Sequence, residues 1–170
     1  MKKRFIYMAT LVVVLLGIVI LRVNLKNNGD TTSKREDLLN SVESGISIIV
    51  ELPVKDYMIC QIQKGTQIGC ARFVKDKWGY KYQYHSLARE DIVFDSFIAE
   101  QETYHVLICN KPNLERVEVA FTNTDTKAVI EKRSIELNGN MICVTEAPEA
   151  KSYSINFTFF DTMGNEFRFR

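Results

Sequence analysis

The sequence predicts an all-β domain, an antiparallel β-sandwich or barrel-like fold, preceded by a single transmembrane helix and a short helix. Two observations support this prediction. Residues 5–21 contain no charged side chain. From Ile46 onwards, short runs rich in β-branched and aromatic residues alternate with turn residues about nine times, as in antiparallel strands. The expected organisation is an N-terminal anchor at 1–25, a polar tether at 26–35 and a β-rich domain at 36–170.

The segment 5–21 has the length of a membrane span. As a helix it would rise about 25 Å, close to the roughly 30 Å hydrocarbon core of a bilayer. Lys2, Lys3 and Arg4 precede it, so the positive-inside rule predicts a cytoplasmic N-terminus and an extracytoplasmic domain at the cell membrane. A cleaved secretory leader is the alternative, but such a leader has a shorter apolar core and small residues at its cleavage point. We therefore expect a single-pass anchor.

Charge is distributed unevenly along the chain. The chain has 22 Lys and Arg and 21 Asp and Glu, for a net charge of +1. Five of the basic residues and none of the acidic ones precede residue 27, which leaves seventeen basic and twenty-one acidic residues and a net charge of −4 beyond it. A mildly acidic domain does not attract a phosphate backbone, which argues against nucleic acid as a partner.

A short helix is predicted between the tether and the strands. Ser33 and Glu36 have the spacing of a capping box, which marks the start of a helix. Leu38, Leu39 and Val42 then fall on one side of that helix. The helix is either a stalk above the membrane or the first packed element of the domain.

Turn residues predict how the strands connect. Lys64-Gly65-Thr66 and Asn138-Gly139 are hairpin signals, because glycine adopts the positive φ angles that tight turns need. The run Asp91–Ile98 is read as a strand, with a short helix as the alternative. Asp161–Asn165 predicts a final turn into a closing strand.

The four cysteines are an even number in a domain predicted to lie outside the cytoplasm, where disulfides form. A three-residue loop at Lys64-Gly65-Thr66 would place Cys60 opposite Cys70, so this pair is the candidate disulfide. Directly opposed strand residues are slightly too far apart for a relaxed bridge. Buried thiols that act as small hydrophobic groups are common, so we expect the cysteines to be at least partly reduced, with Cys60–Cys70 as the bridge if one forms.

The candidate ligand-binding residues are Trp78, Tyr82, Tyr84 and His85. In the run 78–85 every second residue from Trp78 to Tyr84 is aromatic, so a regular strand places these rings on one face and His85 on the other. We expect Trp78 in the core, because its single donor is easily satisfied there, and Tyr82 and Tyr84 at the surface. The rings either form the inner face of the sandwich, or they form an exposed platform for sugar rings or for a partner peptide.

No sequence motif identifies a reaction. His85 and His105 lack the spacing of a zinc site. We expect no metal and no cofactor. Carboxylates are frequent between Glu90 and Glu102, which suggests either a solvated face or a hydrolase site. The preferred hypothesis is a non-catalytic module that binds an envelope protein or a cell-wall polymer. The alternative is a cell-envelope hydrolase that uses carboxylates.

The layout resembles a class of small uncharacterised proteins. The resemblance rests on the basic start with its apolar segment, on Lys77-Trp78-Gly79-Tyr80-Lys81 and on the closing hairpin at 161–166. On these features the chain is similar to the N-terminally membrane-anchored extracytoplasmic proteins of Gram-positive bacteria. The resemblance implies a location at the membrane and implies no activity.

The predicted topology can be tested with protease. Because the anchor is expected to stay uncleaved with its N-terminus inside, protease added to intact spheroplasts should remove the domain after about Asn24. Immunoblotting of the membrane fraction measures this. A fully protected domain, or a mature N-terminus that begins beyond residue 20, would contradict the predicted topology.

Overall fold

The computed structural model describes residues 29–111, 113–137 and 141–167. These residues form antiparallel sheets and one short helix, so the predicted all-β class is confirmed. The predicted anchor at 5–21 lies outside the described residues. Within the described ranges, no helix is long and apolar enough to cross a membrane.

The helix α1 spans Thr32–Val42. In chain order the strands are β1 Ser47–Val54, β2 Tyr57–Lys64, β3 Gln67–Asp76, β4 Gly79–Ala88, β5 Ile92–Ala99, β6 Glu102–Cys109, β7 Leu114–Asn123, β8 Val129–Glu136, β9 Ile142–Glu146, β10 Tyr153–Asp161 and β11 Glu166–Phe167. The run Asp91–Ile98 is therefore a strand and not a helix. The predicted closing turn is also present, because β10 pairs with β11.

Three sheets stack face to face, as in a sandwich with one additional layer. The helix-side sheet has the order β1-β2-β3-β4, the middle sheet β5-β6-β9, and the outer sheet β11-β10-β7-β8. One apolar cluster joins the helix-side and middle sheets, and a second joins the middle and outer sheets. A third cluster lies between α1 and the helix-side sheet.

The central strand β6 is buried on both faces. Val106 and Ile108 point towards the helix-side sheet, whereas Leu107 and Cys109 point towards the outer sheet. Strands with two buried faces read as continuous apolar runs instead of alternating ones. This explains the unbroken apolar run from Val106 to Cys109 in the sequence.

The hairpin predicted at Asn138-Gly139 is wrong. Strand β8 pairs with β7 in the outer sheet, whereas β9 pairs with β6 in the middle sheet. The two strands therefore lie in different layers, and residues 138–140 between them lie outside the described ranges. The reason lies in β9, because Ile142 contributes to one core and Cys143 to the other, so this strand is buried on both faces only in the middle layer.

The helix α1 is a packed element of the domain and not a stalk. Leu39 is fully buried with Phe73 and Ile62 of the helix-side sheet. The helix begins two residues earlier than predicted, because Thr31 is the N-cap and its Oγ1 accepts a hydrogen bond from the Lys34 amide at 3.3 Å. Val42, which was expected on the packed side, is 58% exposed.

A buried ion pair joins α1 to the edge of the helix-side sheet. Arg35 donates from Nε and Nη2 to the two carboxylate oxygens of Glu51, both at 2.7 Å. The Arg35 side chain is only 5% exposed, and its guanidinium lies over the ring of Tyr80 at 5.4 Å. Thr32 adds a hydrogen bond to the same carboxylate at 2.7 Å. A bidentate pair of this kind fixes the relative orientation of the two side chains as well as their distance.

The same arginine fixes the point at which the chain enters the domain. Its Nη1 donates to the carbonyl of Gly29 at 2.6 Å, and the Gly29 amide donates to the carbonyl of Tyr80 at 2.6 Å. A Cβ at Gly29 would lie 2.4 Å from Cγ of Arg35, so only glycine fits here. The tether predicted at 26–35 is therefore too long, since residues from Gly29 onwards belong to the domain.

The Arg35–Glu51 pair should make stability depend on pH. Burial raises the pKa of Glu51, but hydrogen bonds from Arg35 and Thr32 outweigh this effect and hold it below its ordinary value. The unfolded chain therefore takes up a proton first, so the stabilisation is complete above about pH 5 and is lost as the pH falls through the folded pKa. Urea unfolding from pH 7 to pH 3 should show a smaller acid-induced loss for Glu51→Gln than for the wild type.

At neutral pH, Arg35→Met should lower the free energy of unfolding by about 3 kcal/mol, because it leaves a partly buried carboxylate without its cation. The neighbouring Lys34→Met is the matched control. Lys34 forms an exposed ion pair with Asp30, and its loss should cost less than about 1 kcal/mol. Similar losses in the two variants would contradict this role for Arg35.

Candidate functional site

A β-bulge divides the aromatic row of β4. Phe73 of β3 pairs with Tyr82, but the preceding Arg72 pairs with Tyr84, so Gln83 is one extra residue in β4. A bulge of one residue reverses which face each later side chain occupies. The predicted single face of aromatic rings is therefore wrong.

The tyrosines of β4 lie on opposite faces of the helix-side sheet. Tyr82 packs edge-on against Phe73 at 6.1 Å and is half-buried beneath α1. Tyr84 lies on the other face, where the guanidinium of Arg72 sits 4.8 Å from its ring centre. Tyr84 is 38% exposed, as predicted, whereas Tyr82 only partly reaches the surface.

Trp78 is not a core residue. It lies in the turn before β4 and is 39% exposed, with the ammonium of Lys77 5.1 Å from its ring. The turn is closed by Asp76, whose Oδ1 accepts a hydrogen bond from the Trp78 amide at 2.8 Å. The strand begins only at Gly79, so the alternation that would have directed Trp78 inwards does not apply to it.

His85 joins a polar chain that the sequence did not indicate. Its Nδ1 lies 2.9 Å from the hydroxyl of Tyr82, and its Nε2 lies 3.0 Å from Glu43. Lys64 completes the chain with a 2.8 Å contact to Glu43. The hydrogen bonds from Lys64 and His85 lower the pKa of Glu43, and burial raises that of Tyr82. These contacts tie the end of α1 to β2 and β4. The side chains of Tyr82, His85, Glu43 and Lys64 are therefore engaged with one another.

The predicted pairing of Cys60 with Cys70 is also wrong. The β2–β3 loop has two residues, Gly65 and Thr66, so Cys60 pairs with Ala71 and Cys70 with Gln61. The two thiols therefore point to opposite faces of the sheet and belong to different clusters.

All four cysteines are free and buried. Burial raises the pKa of Cys143 to about 11 and that of Cys109 to about 12, and it also raises the pKa values of Cys60 and Cys70. Only the thiolate is an effective nucleophile. These thiols therefore act as small hydrophobic groups, which agrees with the expectation that the cysteines are at least partly reduced.

A cleft opens at one end of the middle sheet, with a volume of about 480 Å³. It lies between the β5–β6 turn and the segment that connects β9 to β10. Its lining residues are Gln101, Glu102, Thr103, Glu146, Ala147, Pro148, Glu149, Ala150, Lys151 and Tyr153. Three carboxylates and one ammonium line it, so its walls are polar and carry excess negative charge.

The β5–β6 turn that forms one wall is conformationally strained. Glu100 and Gln101 have φ angles of +51° and +75°, a combination that hairpins usually assign to Asn-Gly. Non-glycine residues in this region cost free energy and concentrate at ligand-binding sites. Glu102 follows directly and is fixed by the Tyr104 hydroxyl at 2.7 Å, with Lys55 at 3.8 Å.

Tyr153 is held in the cleft wall by a buried histidine. Its hydroxyl lies 2.9 Å from Nε2 of His105, which is 7% exposed and packs between Phe94 and Phe121. Burial lowers the pKa of His105 and raises that of Tyr153, so both side chains are neutral at pH 7. The imidazole thus orients the tyrosine ring at the wall of the cleft.

The carboxylate segment predicted at Glu90–Glu102 does not converge on one site. Asp95 faces Arg72 at 3.7 Å between two sheets, whereas Glu102 lines the cleft. In the described part of the chain, no three His, Cys, Asp or Glu side chains are placed to hold a metal ion. Glu146 and Glu149 were missed, because nothing in the sequence places them opposite the β5–β6 turn.

Comparison of the chain with protein-family models, with curated proteins and with solved structures found no match.

The revised positions of the aromatic residues predict a clear difference in stability. Phe73→Ala should cost about 3–5 kcal/mol, because it opens a cavity beneath α1. Trp78→Ala should change the free energy of unfolding by no more than about 0.5 kcal/mol, because Trp78 lies at an exposed turn. Urea unfolding followed by far-ultraviolet circular dichroism measures both. A large loss of unfolding free energy in Trp78→Ala would contradict the exposed position of Trp78.

Proposed function

We propose that the protein is a membrane-anchored extracytoplasmic binding module that has no catalytic role and takes its ligand in the cleft between the β5–β6 turn and the β9–β10 connection. The observation that carries the proposal is this cleft of about 480 Å³, which is lined mainly by polar and charged residues. Pockets in which a few fixed polar groups converge are the usual sites of recognition. The partner is an envelope protein or a cell-wall polymer.

The lining favours a ligand that carries positive charge. Glu102, Glu146 and Glu149 outnumber the single cation of the lining, Lys151. A ligand with amine or guanidinium groups would form charge-assisted hydrogen bonds with these oxygens. Tyr153 also lines the cleft, and its ring is held in place by the hydrogen bond between its hydroxyl and His105. Basic loops of a protein and amine-bearing polymers both have this chemistry.

The location of the module follows from the apolar segment at 5–21 and its basic N-terminal flank. The described part of the domain begins at Gly29, which follows the proposed anchor by only a few residues. A module held this close to the bilayer meets partners of the membrane surface and the inner envelope.

An envelope hydrolase is the second candidate. It is favoured by one observation, namely that the carboxyl side chains of Glu102 and Glu146 line the same cleft. A pair of carboxyl groups can act as general acid and general base. The two candidates differ in what happens to the ligand after it binds.

A photo-crosslinking residue placed in the cleft tests the proposal. The full-length chain with p-benzoylphenylalanine at Ala150 should crosslink to a partner in native membranes, because Ala150 lines the cleft. The same residue at Ser134, exposed in β8, is the matched control and should give no product. Mass spectrometry of the crosslinked species identifies the partner.

Charge reversal separates specific capture from chance contact. Glu146→Lys together with Glu149→Lys should abolish the Ala150 crosslink if the ligand is cationic. Equal crosslinking from Ala150 and Ser134 would contradict the cleft as a binding site. Glu146→Gln distinguishes the second candidate: a trapped, uncleaved partner in this variant, with cleaved products in the wild type, would establish hydrolysis.

A further inference from the structure

The β3–β4 tip, defined here as residues 75–81, combines a large exposed aromatic side chain with basic residues. Trp78 is the only tryptophan of the chain, and it lies at this tip with 39% of its surface exposed. Lys75, Lys77 and Lys81 are exposed around it. Lys81 is paired with Asp76 at 2.6 Å, whereas neither Lys75 nor Lys77 forms a salt bridge with any acidic residue in the described ranges.

The N-terminal segment enters the domain directly beside this tip. The Gly29 amide donates to the carbonyl of Tyr80, two residues beyond Trp78. Arg35 holds this junction from the other side, because it bonds the carbonyl of Gly29 and lies over the ring of Tyr80. The tip and the point of entry are therefore one rigid corner of the domain.

The length of the intervening chain keeps this corner near the bilayer. Seven residues, 22–28, separate the apolar segment from Gly29. Even fully extended, the steps from Leu21 to Gly29 span at most about 28 Å. With the apolar segment in the membrane, the corner lies within that distance of the interface, and any tether that is not fully extended brings it closer.

The side chains of the tip match the chemistry of a lipid surface. Tryptophan is enriched at the level of lipid headgroups, where its ring is partly buried and its N–H remains hydrated. Lysine extends its apolar stem along the surface and places its ammonium beside phosphate groups. Asp56 of the neighbouring turn reduces the positive charge of this end, and its carbonyl accepts a hydrogen bond from the Lys75 amide at 2.6 Å. The contact therefore depends on the ring as well as on the lysines.

We propose that the β3–β4 tip contacts the anionic surface of the membrane, with the Trp78 ring in the headgroup region and Lys75 and Lys77 against lipid phosphates. The proposal rests on the proposed anchoring of the chain. The contact would fix the orientation of the domain on the membrane, in addition to holding it nearby.

The single tryptophan allows a direct test. The full-length chain is reconstituted into vesicles of phosphatidylcholine, alone or mixed with phosphatidylglycerol, and the emission of Trp78 is recorded. Because no other tryptophan contributes, the signal reports the tip alone. In the mixed vesicles we expect emission at shorter wavelength and loss of intensity when the lipids carry brominated acyl chains, with weaker effects in phosphatidylcholine.

Charge-reversal variants provide a matched control. Lys75→Glu with Lys77→Glu should remove the dependence on phosphatidylglycerol. Lys127→Glu with Lys132→Glu should leave it unchanged, because Lys127 is exposed in the β7–β8 turn and Lys132 is exposed in β8 of the outer sheet, both outside the tip. Equal responses of the two double variants would overturn the proposal.

Carbonate extraction separates failure of the contact from failure of the anchor. If the chain resists extraction but Trp78 keeps a water-like emission in anionic vesicles, the lipid contact is wrong and the anchoring stands. If carbonate releases the chain, the anchoring fails as well. A response of Trp78 to a soluble anionic polymer, without any response to lipid, would assign the tip to a polymer and overturn the lipid contact.

Discussion

The burial of strand β6 on both faces is the constraint on which the other layers depend. Val106 and Ile108 require one covering sheet and Leu107 and Cys109 require another, so the chain has to build three layers. Strand β9 leaves its sequence neighbour β8 for the same reason, since its own two faces are apolar. This crossing between layers places the β9–β10 connection beside the β5–β6 turn. The cleft is therefore a consequence of how the middle sheet is covered.

Polar side chains determine how α1 and the N-terminal junction attach to these layers. The Arg35–Glu51 pair and the Tyr82–His85–Glu43 chain fix opposite ends of α1 to the helix-side sheet. Charge-assisted hydrogen bonds have narrower geometry than apolar contacts, so they set the position of the helix instead of merely holding it close. The first pair also locks the junction at Gly29. The direction in which the N-terminal segment leaves the domain is thus determined by a buried guanidinium.

The candidate site shows which structural features local sequence patterns can predict and which they cannot. The aromatic residues of β4 were identified, but one inserted residue at Gln83 reversed the face of Tyr84 relative to Tyr82. Of the predicted carboxylate segment, only its end at Glu102 lines the cleft, together with residues from a different part of the chain. A bulge and a contact between distant loops both depend on which strands pair and in what register. The sequence of a single strand does not specify its partner.

Periodicity within a few residues was enough to predict the all-β class, the apolar segment at 5–21 and most strand positions. The sequence also identified the short helix, although the buried Leu39 alone could not show whether that helix packs. The tertiary structure decided the three-layer arrangement, the separation of Cys60 from Cys70, the exposure of Trp78 and the composition of the cleft. Each of these depends on register, or on residues far apart in the chain that meet only after the sheets have stacked.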